Sequence, residues 1–303
     1  MRLWCFVDAT PDGFKRYTRS VRSTEPPRYG VNVPIFGPFT ARRLGELAAA
    51  AEQAGWDGFF CWDHLLWDPL GEGVTDTTVA LTAIALATEK VTFGPLVTPL
   101  ARRRPWKLAR EVAALDVLSH GRFVLGVGNG DDVDFAPVGD PAPARQRAVV
   151  LDESIELLRR LLEDPKPVTH SGSAYHVEKV CLRPQPVQPR VPMWVGGWWP
   201  NRPPFRRAAR LEGVFPIPKD DGAEPLAPHD LTACLDFISD HRGSDVRADP
   251  DYAVVIAGRT TGPADNRPAE LVEHGATWWV EGFGPDDDVH EVEQRVLAGP
   301  PRA

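Results

Sequence analysis

The stretch "FFCWDHLLW", from Phe59 to Trp67, begins as an apolar run and then carries an acid and an imidazole. Burying Asp63 and His64 without partners would cost free energy, so either a strand ends here at a solvent-filled mouth or both groups have a function. His64 suits acid/base catalysis because imidazole titrates near neutral pH, while a structural histidine that caps the loop fits the sequence equally well. Adjacent residues of a strand point to opposite faces, which favours Asp63 as an orienting group.

A second polar stretch, "GVGNGDD" from Gly126 to Asp132, combines closely spaced glycines with acids. It is a weak dinucleotide fingerprint because prolines follow where that motif requires a helix. As a strand end, its glycines would let a flat ligand approach, and Asp131 would supply one carboxylate. Asp132 and Asp134 are interpreted as residues of a solvated loop.

A third stretch, "VGGWWPNRPPFRR", places Gly196 and Gly197 at a predicted strand end. Their backbone amides, together with the following helix start and Arg202, suit a phosphate or another anion. The ten tryptophans of the chain also suit a pocket for a planar aromatic cofactor. For Trp194, inside a predicted strand, core packing is the better interpretation.

Several other functions are disfavoured by the sequence. It contains no H-x-H, H-E-x-x-H or G-x-S-x-G spacing, which argues against a metal site and a serine nucleophile. The four cysteines form no C-x-x-C pair, as expected of a protein in the reducing cytoplasm. A net charge of −8 disfavours nucleic acid and acidic membranes as partners, and the apolar runs are too short to span a bilayer.

The elements that must position these residues follow a repeated pattern. From Tyr29 onward, short apolar runs alternate with amphipathic helical runs, eight of each, which predicts an α/β fold. Eight units match a (β/α)8 TIM barrel with insertion loops over residues 29–303, since a doubly wound sheet normally has about five or six strands. Residues 1–28 are predicted to form a basic, irregular N-terminal leader.

Three further expectations concern the loops, the helix ends and the strand ends of this barrel. The longest strand-free loops are predicted at 129–144 and 164–190, where lids or substrate walls are common. Helices are expected to end in left-handed glycine caps before strands begin, at Gly55, Gly121, Gly213 and Gly275. All strands of such a barrel end at one face, so the polar residues at the strand ends, including Glu281, are expected to gather around a pocket there.

In this order, several stretches resemble the bacterial luciferase-like family of flavin-dependent oxidoreductases, in particular its deazaflavin-dependent branch, which uses coenzyme F-420. They are "YGVNVP", "AEQAGWDGFFCWDHLLW", "GPLVTPLARRRPWKLAREVAALDVLSHGRFVLGVGNGD", "RPQPVQPRVPMWVGG" and "GATWWVEG". The resemblance covers the chain from about Tyr29 to Pro300 and implies an insertion-bearing (β/α)8 barrel.

The resemblance also implies roles for individual residues. His64 would be the acid/base near the substrate, Trp67 the nearby indole and Asp131 the acid after strand four. Strand three would carry a bulge, in this family often with a non-prolyl cis peptide behind the flavin ring. The predicted cofactor contacts are Asp63, Pro95, Leu96, Thr98, Gly128, Asn129, Gly196 and Gly197. The His-to-Trp spacing is three and not the family's four, and no basic residues of this sequence are assigned to the phosphate site of the related sugar-phosphate dehydrogenases, so the resemblance does not extend to their substrate.

The sequence thus predicts a cytoplasmic oxidoreductase that moves a hydride between coenzyme F-420 and a small organic substrate. One alternative is an FMN-dependent monooxygenase that acts with a separate flavin reductase, and another is a flavin-binding protein without catalysis. The expected partners are a small-molecule substrate and a flavin or F-420 reductase, with no metal, nucleic acid or membrane. The composition is compatible with a homodimer.

Overall fold

The computed structural model describes the backbone of residues 8–9 and 15–16, and residues 26–67, 73–140, 143–219, 224–262 and 265–301 in full. Buried strands alternate with helices along the chain. The barrel strands are β1 (Arg28–Val33), β2 (Gly58–Cys61), β3 (Thr92–Pro95 and Thr98–Pro99), β4 (Leu125–Gly128), β5 (Met193–Trp199), β6 (Gly213–Pro218), β7 (Ala253–Gly258) and β8 (Trp278–Gly282). The helices are α1 (Ala41–Ala54), α2 (Thr77–Ala87), α3 (Pro105–Leu118), α4 (Ala144–Glu163), α5 (Arg202–Ala208), α6 (Pro228–Arg242), α7 (Arg267–Glu273) and α8 (Val289–Leu297).

The strands form one closed parallel barrel. Each strand pairs with its neighbours in chain order, and β8 pairs with β1. The barrel closes at β3, whose first segment pairs with β2 and whose second segment pairs with β4. The predicted (β/α)8 barrel is therefore confirmed, and its first strand begins at Arg28, one residue before the expected domain start. Of the predicted leader, residues 1–28, the structure describes the antiparallel pair Asp8–Ala9 and Lys15–Arg16 and residues 26–28, and the other residues of the leader lie outside the described part of the chain.

Two apolar cores follow from the alternation of side chains along the strands. One fills the barrel interior, with Phe60, Trp194, Phe215, Val255 and Trp278 among its members. The other lies between the strands and the surrounding helices. Because each strand is covered on both faces, its residues are nearly all apolar or small, as expected for a parallel barrel. None of the helices in the described part of the chain combines the length and apolarity that a membrane crossing requires.

Glycines end several helices as the sequence predicts, with one exception. Gly55, Gly121 and Gly275 have φ of 92°, 84° and 105°, in the left-handed region that favours glycine. Gly213 is instead the first residue of β6, so its predicted cap is wrong. A Cβ at this position would lie 2.5 Å from Trp194 Cδ1, so the residue is small because the barrel interior is crowded there.

The region 164–190 is not a strand-free loop as predicted. It contains an antiparallel hairpin of Val168–Ser171 and His176–Val180. Glu153 of α4 holds the tip of this hairpin: its carboxylate lies 3.0 Å from His170 Nε2 and accepts hydrogen bonds from the backbone amides of Ser173, Ala174 and Tyr175. Glu153 therefore ties the tip of the insertion to α4, while Arg160 donates a further hydrogen bond to the Thr169 carbonyl and Tyr175 packs into the core.

This attachment should depend on pH. Burial alone would raise the pKa of Glu153, but His170 and the hairpin amides outweigh burial and lower the pKa to about 2, from 4.5 for an ordinary glutamate. The stabilisation is therefore complete above about pH 4.5 and is lost as the pH falls toward about 2. In urea unfolding, Glu153→Gln should lower stability at pH 6 by more than it does at pH 3.

Glu156→Gln is the matched control, since Glu156 is exposed and lies 3.9 Å from the same imidazole. An equal effect of Glu153→Gln at both pH values would contradict the proposed attachment.

Candidate active site at the carboxyl ends of the strands

Asp63 and His64 point in opposite directions just after β2. The Asp63 side chain is buried between β2, β3 and the helices. It accepts hydrogen bonds from Thr98 Oγ1 at 2.8 Å, from Thr77 Oγ1 at 3.1 Å, and from the guanidinium groups of Arg102 and Arg103 at 2.7–2.8 Å. Both of its carboxylate oxygens are used by protein groups, so Asp63 anchors the loop that carries His64 and does not face the mouth of the barrel.

His64 is paired with an acid that the sequence analysis placed in solvent. Its Nδ1 atom lies 3.1 Å from Oδ2 of Asp134, a fully buried residue. The other carboxylate oxygen, Oδ1, accepts hydrogen bonds from the backbone amides of Leu65 and Leu66 at 2.8 and 3.1 Å. The interpretation of Asp134 as a solvated loop residue is therefore wrong. A 3-10 turn over Asp132–Asp134 directs this side chain inward.

The charge of Asp134 is stabilised despite its burial. Burial alone would raise the pKa of this carboxyl, but the imidazole of His64, the Leu66 amide and the guanidinium of Arg102 outweigh it and lower the pKa. Nη2 of Arg102 lies 3.8 Å from Asp134 Oδ2 and 2.8 Å from Asp63 Oδ1. A buried carboxylate thus faces one nitrogen of the imidazole, the arrangement that orients a catalytic histidine and stabilises its protonated form.

An aromatic wall surrounds His64. Trp67 lies 5.3 Å from the imidazole between ring centroids, and Phe36 and Trp62 lie 5.7 and 5.8 Å from it. Phe36 also stacks on Trp67 at 5.0 Å. Phe36, just after β1, was not predicted from the sequence, although its position in the run "VPIFG" places an aromatic residue at a strand end. We call Phe36, Trp62 and Trp67 the aromatic wall.

The third strand contains the bulge that the resemblance implies. Between its two segments, the peptide bond Leu96–Val97 is cis, although it does not precede proline. Asp63 and Thr98, which are hydrogen bonded, connect this bulge directly to the loop of His64. The predicted contacts Pro95, Leu96 and Thr98 thus lie on one structural unit with the predicted catalytic residue.

The glycines of β4 and β5 make room for this bulge. A Cβ at Gly128 would lie 2.5 Å from Val97 Cγ2, and one at Gly196 would lie 2.7 Å from Val97 Cγ1. At Gly197, a Cβ would lie 2.4 Å from Pro204 Cβ in α5. Packing within the protein therefore explains glycine at these three positions, whether or not they also contact a ligand.

Comparison with known proteins identifies the family. The family model described as luciferase-like monooxygenase matches residues 17–215, about two thirds of the chain. This chain belongs to the luciferase-like family. An F-420-dependent glucose-6-phosphate dehydrogenase of Beutenbergia cavernae is 30% identical over 86% of the chain and 86% of the relative. The corresponding protein of Nakamurella multipartita is 34% identical over 63% of the chain, but the match spans only 56% of that relative.

A solved structure shares the fold of this luciferase-like protein. An F-420-dependent secondary alcohol dehydrogenase, in complex with an F-420-acetone adduct, superposes with a TM-score of 0.73 at 18% identity. The superposition covers 90% of the chain and 97% of that structure. The family and the insertion-bearing barrel expected from the sequence are therefore confirmed.

Asp131 and Asn129 lie at the end of β4 in this luciferase-like barrel. Their side chains bond to other described residues and not to the side chains of His64 or Asp134. Asp131 is exposed and accepts a hydrogen bond from the Val133 amide, which caps the turn. Asn129 donates from Nδ2 to the Ala144 carbonyl, and its buried Oδ1 has no hydrogen-bond partner among the residues described. Asp131 is thus free to meet a ligand, whereas Asn129 offers one unused acceptor.

Two other residues expected at the mouth are engaged elsewhere. Glu281 is fully buried and is held by Arg295, Trp279 and Thr260, a set that ties β8 to α8. The guanidinium of Arg202 is stacked 4.4 Å from the ring centroid of Trp199 and 4.6 Å from that of Phe237. The guanidinium of Arg202 is therefore held by aromatic rings, and its position does not support the anion site predicted at Gly196 and Gly197.

A cavity of about 750 Å³ lies at the opposite end of the barrel. Its lining includes the first residues of several strands, among them Arg28, Thr92 and Trp278. The carboxyl ends of the strands form the catalytic face in barrels of this type. The pairing of His64 with Asp134 at that face, and not the size of this cavity, therefore identifies the candidate active site.

The residues at the mouth fit a planar ring with polar edges. The bulge at Leu96–Val97 packs against the side-chain-free backbone of β4 and β5. The buried amide oxygens of Asn32 and Asn129 have no hydrogen-bond partner in the part of the chain that the structure describes. Polar atoms buried in this way are expected to bind a ligand or ordered water.

Proposed function

We propose that this protein is an F-420-dependent oxidoreductase that transfers a hydride between the cofactor and a small alcohol or carbonyl compound. The relatives named as F-420-dependent dehydrogenases support this function over an FMN-dependent monooxygenase and over a flavin-binding protein without catalysis. The observation that carries the proposal is the contact of His64 with the buried carboxylate of Asp134, inside the aromatic wall.

The chain's own residues would perform the proton transfer. Asp134 orients His64 through Nδ1, and no described residue donates or accepts a hydrogen bond at Nε2, which leaves that nitrogen for the substrate. Nε2 would accept the hydroxyl proton when an alcohol is oxidised and return it when a carbonyl is reduced. The loop is held in place by Asp63, whose partners come from β3 and from Arg102 and Arg103.

The cofactor would be held by the mouth of the barrel. The bulge at Leu96–Val97, with Gly128 and Asn129, would contact the ring, and the backbone of Gly196 and Gly197 would contact its phosphorylated tail. When bound, the deazaflavin supplies hydride donation and acceptance, chemistry that no amino-acid side chain provides. Trp67 would face the substrate, since 39% of its surface is exposed beside His64.

The aromatic wall favours a substrate with apolar substituents. Arg102 and Arg103, the arginines that contact the loop of His64, are both bound to Asp63, so neither is available for a phosphate. Small secondary alcohols and their ketones therefore fit this site better than glucose 6-phosphate, the substrate named for the relatives. A homodimer, a reductase partner and a cytoplasmic location remain predictions.

A substrate panel with oxidised F-420 tests this proposal. Loss of the ring absorbance should be faster with secondary alcohols than with glucose 6-phosphate. Turnover with glucose 6-phosphate alone would contradict the proposed substrate class. Oxygen consumption coupled to hydroxylation, seen only with reduced FMN, would instead indicate the monooxygenase.

A further inference from the structure

Asn32 in β1 carries a buried side-chain amide that none of the described residues satisfies. The residue is 6% exposed, and its Oδ1 atom is buried without a hydrogen-bond partner. Among the described residues, none bonds to its Nδ2 atom either. Buried polar groups in folded proteins are nearly always hydrogen bonded, so this amide calls for an explanation.

The Asn32 side chain points into the barrel interior. Its neighbours across the sheet are Phe60 of β2 and Gly282 of β8, and parallel partners in register present their side chains to the same face. Phe60 belongs to the apolar cluster that fills the interior. Gly282 has no side chain, and a Cβ there would meet no heavy atom closer than 3.8 Å. Space is therefore left beside the amide.

Asn32 also lies near the catalytic end of the interior. It is the next-to-last residue of β1, which ends at Val33, and Phe36 of the aromatic wall follows shortly along the chain. Its partner Phe60 precedes Trp62 of the same wall by two residues on β2. The interior below is apolar, so no described residue there offers the amide a polar partner.

We infer that Asn32 binds the polar edge of the ring that occupies the mouth. A carboxamide offers a donor and an acceptor side by side, which complements an edge with adjacent C=O and N–H groups. The pyrimidinedione edge shared by flavins and deazaflavins has this pattern. The inference rests on the proposed function, because it assigns a residue to the cofactor of that function.

Asn32→Leu tests the inference, because leucine keeps the approximate volume and removes both polar groups. Binding of oxidised F-420 is measured by fluorescence, and the thermal unfolding of the protein is measured without cofactor. We expect the Kd to rise about tenfold, as for the loss of one buried hydrogen-bonding group, and the Tm of the cofactor-free protein to stay equal or increase. Asn32→Asp, which replaces the donor with a charge, should weaken binding at least as much.

Ser154→Ala is the matched control. Ser154 is also buried, and its hydroxyl also has no hydrogen-bond partner among the described residues, but it lies on α4 outside the barrel. This variant should bind the cofactor with the wild-type Kd. The Ser154→Ala result therefore separates the loss of a buried polar atom from the loss of a ligand contact.

The outcomes separate this inference from the proposed function. If the wild type binds F-420 while Asn32→Leu binds it equally well and unfolds at a lower temperature, Asn32 is structural and the inference fails alone. If the wild type binds neither F-420 nor FMN, the proposed function fails and the inference with it. A tenfold weaker affinity with a stable cofactor-free variant supports both.

Discussion

Replacing His64 by alanine is expected to reduce kcat by about 100- to 10,000-fold, the usual contribution of a positioned acid/base. The Kd for F-420 should stay close to the wild-type value, since the imidazole is assigned to the substrate and not to the ring. His64→Gln, which keeps a polar side chain of similar length, should be equally slow, because an amide cannot exchange the proton. Single-turnover measurement of ring absorbance, beside a fluorescence titration, separates the two quantities.

His290→Ala provides the control for this substitution. His290 is exposed on α8, and its ion-pair partner is Glu293, which is not a residue of the site. A His64→Ala enzyme with wild-type kcat would remove His64 from the mechanism. An enzyme with lost cofactor binding would instead show that the imidazole is part of the ring site.

The second large effect is expected at Asp134. Asp134→Asn keeps an oxygen for the Leu65 and Leu66 amides but removes the charge that faces His64. Hydrogen bonds to charged groups contribute about 1.5–3 kcal/mol, so kcat should fall by roughly 10- to 100-fold.

Asp132→Asn is the control for this prediction. Asp132 lies in the same 3-10 turn, its side chain is 80% exposed, and it pairs with the buried Arg147 of α4 and not with His64. A wild-type kcat in Asp134→Asn, or an equal fall of kcat in Asp132→Asn, would contradict the orienting role of Asp134.

The barrel could be predicted from the sequence because its pattern is local. Helical runs that end at glycines such as Gly55 and Gly275 alternate regularly with apolar strand runs. Each βα unit can therefore be recognised from a short stretch of sequence. Gly213 shows the limit of this reasoning. This residue is glycine because Trp194, on another strand, leaves no room for a Cβ. A contact between two strands cannot be recognised from the local sequence pattern.

The site could be predicted only in part, for the same reason. Asp63 and His64 were identified because a strand that ends in an acid and an imidazole is unusual, and the alternation of faces separated their directions. Asp134 was missed because the run "DDVDF" resembles a solvated loop. Its partners, the amides of Leu65 and Leu66, are 69 and 68 residues away, so its burial follows from tertiary structure. The buried Phe135 beside it was the one local signal.

The central claim is that the mouth of this barrel binds a deazaflavin for hydride transfer, and a direct titration tests it. The purified cofactor-free protein is titrated separately with oxidised F-420 and oxidised FMN at one salt concentration, with ring absorbance and fluorescence polarisation as readouts. We predict tight binding of F-420 and weak binding of FMN. Tight binding of FMN with weak binding of F-420 would contradict the account and favour the monooxygenase.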